Sequence, residues 1–240
     1  MSAVLSNPPA GRASMRPTPV GLGLDSRRAR WAMADALHAG GIRDQQVLET
    51  MAEIPRHLFV EAALVSRAYQ DVSLPIGHGQ TISKPSIVAR MIELAAAHLP
   101  MGERQHARVL EIGSGCGYQT AVLARIFGEV VSIERLRALH HQARRNLQRC
   151  AARRVRLVFG DGHSGLENSA PFHAIVIAAA LDGEIPETLL HLIRVGGRLV
   201  APVSQRRGQR LVLVERTSVA DWQLSELDAV RFVPMLTGTR

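Results

Sequence analysis

The chain has 240 residues, long enough for one α/β domain with a sizeable core and an appendage but short for two full domains. Apolar residues make up 46% and charged residues 21%, near the average for globular proteins, which argues against a fibrous or largely disordered chain. Half of the net charge of +8 comes from the first thirty residues, where Arg12, Arg16, Arg27, Arg28 and Arg30 stand against Asp25 alone, so it is weak ground for nucleic-acid binding, and none is expected.

Residues 1–24 are rich in Pro, Gly, Ala, Ser and Arg and lack a sustained apolar period, so burial cannot offset their ordering entropy and a disordered basic tail is expected. Its arginines have no apolar stretch behind them, so it does not read as a secretory signal, and no apolar run reaches the roughly 18–20 residues a membrane span needs. A cytoplasmic protein without membrane contacts is therefore expected. Residues 25–240 read as a single domain: a helical and loop segment over 25–80, then a core over 81–240. Trp31, Ala34 and Leu37 recur near helical spacing over 25–38, Gly40-Gly41 supplies a stop, and a second helix is predicted over 44–53. The stretch from Leu74 to Pro85 is punctuated by glycine and proline and ends where Ile87, Val88, Met91, Ile92 and Ala95 begin another helix. Ser83 falls at the N-cap of that helix or one residue from it.

From here strand and helix alternate. Strands are predicted over 108–112, 130–133, 155–159, 174–178, 198–203 and 211–215, with helices over 118–126, 136–148 and 186–192. Such alternation predicts a Rossmann-like, doubly wound, mostly parallel sheet with helices on both faces. No helix separates 211–215 from a last strand over 223–232, which predicts an antiparallel hairpin at the C-terminal edge. The second basic run, Arg144, Arg145, Arg149, Arg153, Arg154 and Arg156, falls on a predicted helix and the turn after it and reads as a solvated face.

The chemistry concentrates in the loop Glu111-Ile112-Gly113-Ser114-Gly115-Cys116-Gly117, which follows a predicted strand and opens a predicted helix. In such a unit the backbone must come close to a ligand, which is why Gly113, Gly115 and Gly117 carry no side chains. The spacing is G-x-G-x-G with an acid two residues before the first glycine, unlike the G-x-G-x-x-G of dinucleotide sites. Glu134 ends the next strand, where a carboxylate can accept both hydroxyls of a ribose. Asp161, in Gly160-Asp161-Gly162, is placed to accept from an adenine amino group, although a turn aspartate is the alternative. Ribose, adenine and a close backbone without a phosphate-binding lysine fit S-adenosylmethionine better than a nucleotide.

These motifs resemble the protein-L-isoaspartate O-methyltransferase family, from about Arg43 to Gly238. The resemblance runs through Ile54-Pro55-Arg56, Leu74-Pro75-Ile76-Gly77, Gly79-Gln80-Thr81-Ile82-Ser83, the glycine loop with Gly117-Tyr118-Gln119-Thr120, Gly160-Asp161-Gly162 and Val230-Arg231-Phe232-Val233-Pro234. It implies methyl transfer from S-adenosylmethionine to the free carboxylate of L-isoaspartyl residues in damaged proteins or peptides, with repair through a succinimide. It also implies that Ser83 is the active-site serine, that Glu111, Gly113, Ser114, Gly115, Gly117 and Glu134 hold the cofactor, and that Asp161 and Gly162 lie at the adenine. The chain departs from the family's usual residues at Lys84, Ser86 and Ala178, which bears on peptide preference. Isoaspartyl proteins are the expected partners and a monomer the expected state.

Two other readings fit the fold: a methyltransferase acting on a small molecule or RNA, supported only by the basic runs, and a cofactor-binding protein whose helical N-terminal segment serves interaction. Cys116 and Cys150 read as free thiols, with nothing basic fixed near Cys116 to make it a nucleophile. None of the ten histidines, His78, His140 and His141 included, has metal-ligand spacing, and no metal is expected.

Overall fold

A computed structural model of the chain describes residues 27–164 and 166–240; the tail expected over 1–24 lies outside the described residues. Helices α1 (Arg27–Ala39) and α2 (Gln45–Glu53) come first. Asp44 caps α2 by accepting from the Val47 amide at 3.1 Å, and its other oxygen pairs with the buried Arg104 at 2.6 Å. In α1 the buried stripe is Met33, Ala34 and Leu37, while Trp31, expected on that stripe, is 37% exposed.

Two 3-10 turns (Arg56–Phe59 and Ala62–Arg67) lead to a hairpin of β1 (Leu74–Gly77) and β2 (Gln80–Ile82), and then to α3 (Pro85–Ala96). Sequence reading found only punctuation where the hairpin lies. The reversal rests on three successive residues with positive φ, Gly77 (87°), His78 (53°) and Gly79 (69°), a conformation that glycine on both sides of the turn makes accessible.

The central sheet takes β3 (Arg108–Ile112), β4 (Glu129–Glu134), β5 (Val155–Phe159), β6 (Phe172–Ile177), the two-residue β7 (Leu181–Asp182), β8 (Ile193–Gln205), β9 (Gly208–Arg216) and β10 (Trp222–Val230). Their order is β10-β9-β8-β6-β3-β4-β5, with β7 beside β8. Strands β3 to β8 pair in parallel, and β9 and β10 fold back antiparallel. β8 is longer than the predicted 198–203, and its pairing with β9 from Arg198↔Glu215 to Gln205↔Gly208 makes the antiparallel edge three strands deep.

Side chains alternate across the sheet, as the pleat requires. Val109, Val130, Val176 and Val200 face a core shared with α1, α2, α3, α4 (Tyr118–Ile126) and α5 (Arg137–Arg149). Leu110, Val131, Ile175 and Leu199 face the other way, against Leu166, Leu189 and Leu192. That second face is covered more thinly than the alternation predicted. Its one helix among the described residues, α6 (Glu187–Leu190), is a single turn where 186–192 was expected.

Candidate active site

β3 is followed by β4 and β5 on one side, after which the chain crosses to β6 on the other. At such a switch point the loops beyond the strand ends diverge and leave a crevice, the usual ligand site of an open α/β sheet. A cavity lies there, lined by residues 112–116 after β3, 133–136 after β4, Gly160 and Gly162 after β5, and Ala178 and Ala179 after β6.

The three loop glycines all have positive φ (93°, 54° and 88°), but each for a different neighbour. A Cβ on Gly113 would lie 3.4 Å from Ala178, and one on Gly115 would lie 3.2 Å from Ile76 of β1. One on Gly117 would press on Ala143 and Leu147 of α5 at 3.2–3.3 Å. Gly117 does not line the cavity; close packing of α5 against the start of α4, not approach to a ligand, is its reason for being glycine.

The loop amides are largely occupied within the protein. Those of Gly113 and Ser114 donate to the Ile133 carbonyl at 2.9 and 3.2 Å, that of Gly117 to the Ser114 carbonyl at 2.8 Å, and that of Gly115 to Glu134 Oε2 at 2.9 Å. This arrangement differs from a phosphate-binding nest, whose amides point at the ligand. Glu134 is 5% exposed and lines the cavity; its Oε1 accepts from the Leu136 amide at 2.9 Å. Both carboxylate oxygens are thus fixed, and each retains a second acceptor position. Ser114 lines the cavity too, with its hydroxyl 2.5 Å from that of Ser132.

Glu111 does not reach the cavity. It points with Val109 toward the helical face, fully buried, where the hydroxyls of Thr120 on α4 and Ser132, its register partner on β4, donate to one carboxylate oxygen. The period of the strand explains the displacement: an acid two residues before Gly113 is still in β3 and shares the parity of Val109. Burial outweighs the donors Ser132, Thr120 and Gln119 and pushes its pKa up to about 7. A carboxyl that binds its proton more tightly folded than unfolded favours the folded state below its ordinary 4.5, and that contribution is lost as pH rises to about 7. Glu111→Gln is therefore expected to remove a decline in stability between these pH values, read by urea denaturation at pH 5 and pH 8; an unchanged difference between the two would rule out this account.

Asp161 also stands outside the cavity lining, although its neighbours Gly160 and Gly162 are within it. One oxygen accepts from the His163 amide at 2.9 Å and the other from the Gly238 amide at 2.6 Å. It thereby anchors a C-terminal segment whose residues 233–236 form a wall of the cavity. That segment is pinned further by Ala180, whose amide donates to Val233 and whose carbonyl accepts from Met235, and by Arg135, which donates to the Gly238 carbonyl at 2.7 Å. At Gly162 a Cβ would come within 2.3 Å of Ile112 Cγ2, so no side chain fits between this loop and the end of β3.

Ser83 lies between β2 and α3, half-buried, and lines the same cavity as Glu134 and the glycine loop. The N-cap of α3 is Lys84, one residue on, and its side chain makes no cap bond. Asp71 takes that role: it accepts from the Ser86 amide and the Ser86 hydroxyl, both at 2.8 Å, and pairs with Lys84 at 3.7 Å. The Ser83 hydroxyl therefore has no part in the cap. Its carbonyl accepts from Nη2 of the buried Arg56 at 2.7 Å. Cys116 is buried, and desolvation pushes its thiol up to about 11, which makes it a poor nucleophile. Among the described residues no group of three His, Cys, Asp or Glu side chains converges as metal ligands would.

Sequence reasoning missed the contributions of Ile76, Arg56 and residues 233–236. The motifs Ile54-Pro55-Arg56 and Val230-Arg231-Phe232-Val233-Pro234 were visible, but nothing local in them says where they fold.

The family model for protein-L-isoaspartate(D-aspartate) O-methyltransferase matches residues 28–240. A protein-L-isoaspartate O-methyltransferase of Burkholderia mallei (strain SAVP1) is 53% identical over 219 residues, which cover 90% of this chain and 66% of that protein. One of Burkholderia vietnamiensis is 53% identical over 218 residues, covering 90% and 68%. The chain thus spans about two thirds of the length of these relatives. Among solved structures, one named protein-L-isoaspartate O-methyltransferase is 30% identical with a TM-score of 0.74, covering 85% of this chain and 65% of that one. A Plasmodium falciparum structure, described as a candidate protein-L-isoaspartate O-methyltransferase in complex with S-adenosyl-L-homocysteine, has the same fold. It is 24% identical with a TM-score of 0.75, and the match covers 86% of this chain and 98% of that one.

Proposed function

The chain belongs to the protein-L-isoaspartate(D-aspartate) O-methyltransferase family, and on that premise we propose that it methylates the free carboxylate of L-isoaspartyl residues in damaged proteins and peptides, initiating repair through a succinimide. The observation that carries the reading is that Ser83, Glu134 and the glycine loop line one cavity.

The residues fit S-adenosylmethionine as cofactor. Glu134, held by two backbone amides, has acceptor positions left for both ribose hydroxyls. Gly113 and Gly115 let backbone approach the ligand, and Gly160 and Gly162 leave room for a flat adenine. The loop amides donate to Ile133, Glu134 and Ser114, which suits a ligand without a phosphate. Ser114 lines the cavity with its hydroxyl against Ser132, Glu111 and Gly117 set the loop from behind, and Asp161 acts by holding the wall at 233–236. S-adenosylmethionine supplies a methyl group on a sulfonium, whose sulfur keeps the bonding pair as the acceptor oxygen takes the methyl.

The protein's own chemical task is then small. An acceptor carboxylate with a pKa near ~4 is already ionised at neutral pH and needs no general base. Ser83 orients it by donating a hydrogen bond, and alignment with exclusion of water can be worth up to roughly 7–11 kcal/mol. The reading has the chain working as a cytoplasmic monomer on protein substrates without nucleic acid; among the described residues no helix is long and apolar enough to cross a membrane.

Incubation with methyl-labelled cofactor and paired peptides that differ only in aspartyl or isoaspartyl linkage tests the proposal. Base-labile label on the isoaspartyl peptide alone is expected. Cofactor binding with no transfer to either peptide would overturn it.

A further inference from the structure

Arg56 is the largest fully buried side chain among the described residues, with no exposed surface, and forms no ion pair with a carboxylate among them. Burying a guanidinium with no carboxylate in direct contact, only the more distant charge of Asp71, is expensive, and a packed aliphatic side chain would serve stability at least as well. The hydrogen bonds of Arg56 indicate what the charge is used for. Nε donates to the Ala68 carbonyl at 2.9 Å and Nη2 to the Ser83 carbonyl at 2.7 Å, and the guanidinium lies 4.6 Å from the ring centroid of Tyr118. Tyr118 is the first residue of α4, directly after the glycine loop, and it lines the cavity. Edge-on packing against Phe59, 5.4 Å between centroids, ties the same ring to the turn that carries Arg56.

One rigid, planar group therefore joins Ser83, on the acceptor side of the cavity, to the start of α4, on the cofactor side. The link is direct: Ser83 is reached through its own carbonyl, so the guanidinium fixes the peptide plane that follows the Ser83 side chain. A flexible ammonium or an aliphatic chain could not make both bonds and stack on the ring.

We propose that Arg56 is a positioning residue for the methyl transfer, holding Ser83 in register with the methyl donor by its bond to the Ser83 carbonyl and its stacking on Tyr118. This rests on the reading of Ser83 as the residue that orients the acceptor carboxylate. Arg56 does not touch substrate. It acts through Ser83, so its effect depends on the Ser83 hydroxyl being present.

That dependence supplies the test, a double-mutant cycle on the full chain with the isoaspartyl peptide, using Arg56→Met, Ser83→Ala and both together. Rates are counted per cofactor-loaded site, with loading measured by calorimetry. Arg56→Met is expected to lower kcat by about 10-fold or more but by no more than Ser83→Ala does, as a misplacement of less than an ångström to about one ångström can, with cofactor Kd changed by less than about threefold. In the Ser83→Ala background the same substitution is expected to cost almost nothing more. Should Arg56→Met fail to fold, Arg56→Lys, which keeps the charge and a donor, enters the same cycle with the same expectation of coupling. Additive losses, or an unchanged kcat per loaded site with only a lower melting temperature, would mean that Arg56 merely stabilises the fold and would overturn the proposal. If wild-type protein itself leaves the isoaspartyl peptide unmethylated, the proposed function fails instead, which separates the two failures.

Discussion

Glu134→Ala is expected to weaken S-adenosylmethionine binding by about one to two orders of magnitude, the scale of losing charge-assisted hydrogen bonds worth roughly 1.5–3 kcal/mol. Two effects act together. The ribose hydroxyls lose their acceptor, and the amides of Gly115 and Leu136, both bonded to this carboxylate at 2.9 Å, are left without one. The second effect loosens the glycine loop itself. Glu134→Gln separates them in part, since its amide oxygen can still accept from one of the two amides. It should bind the cofactor more weakly than wild type and better than the alanine variant. Calorimetry with S-adenosylhomocysteine reads all three, and an alanine variant within about threefold of wild type would remove Glu134 from the ribose site.

For Ser83→Ala the expected loss is in turnover: kcat down by roughly 10- to 100-fold, the usual worth of one hydrogen bond to a charged group, with cofactor affinity nearly intact. The α3 cap belongs to Asp71 and Ser86, so removing the Ser83 hydroxyl should leave the helix and the melting temperature nearly unchanged. Stopped assays over a range of peptide concentrations give kcat, and calorimetry gives the cofactor Kd. Loss of cofactor binding in this variant would show the division between acceptor and cofactor residues to be wrong.

The parallel core was legible because its signals are local. β3, β5 and α4 fall on their predicted residues, and Glu134, Gly113 and Gly115, though not Gly117, line the cavity beyond the strand ends. Less is legible where a residue's surroundings are set by a distant partner. Glu111 reads as a member of the loop in one dimension, and only the pleat, together with Thr120 and Ser132, turns it away from the cavity. Asp161 reads as a ligand for adenine because nothing near it in sequence announces the Gly238 amide, seventy-seven residues on. Arg56 stands in the motif Ile54-Pro55-Arg56 with nothing local to show its burial, which follows only from its contacts at Ala68, Ser83 and Tyr118. Trp31 stands near helical spacing from Ala34 and Leu37 and yet is 37% exposed, because Met33 takes the place on the inner stripe.

The contact between Gly117 and α5 bears on how variants of this protein are to be sorted. Ala143 lines no part of the cavity, yet its Cα and Cβ lie where any side chain at Gly117 would have to go. A larger residue at 143 would push on the loop from behind, and the first symptom would be a phenotype in cofactor affinity from a helix that never meets the ligand. Ranking substitutions by distance from the bound molecule would therefore file some of the most damaging ones as harmless.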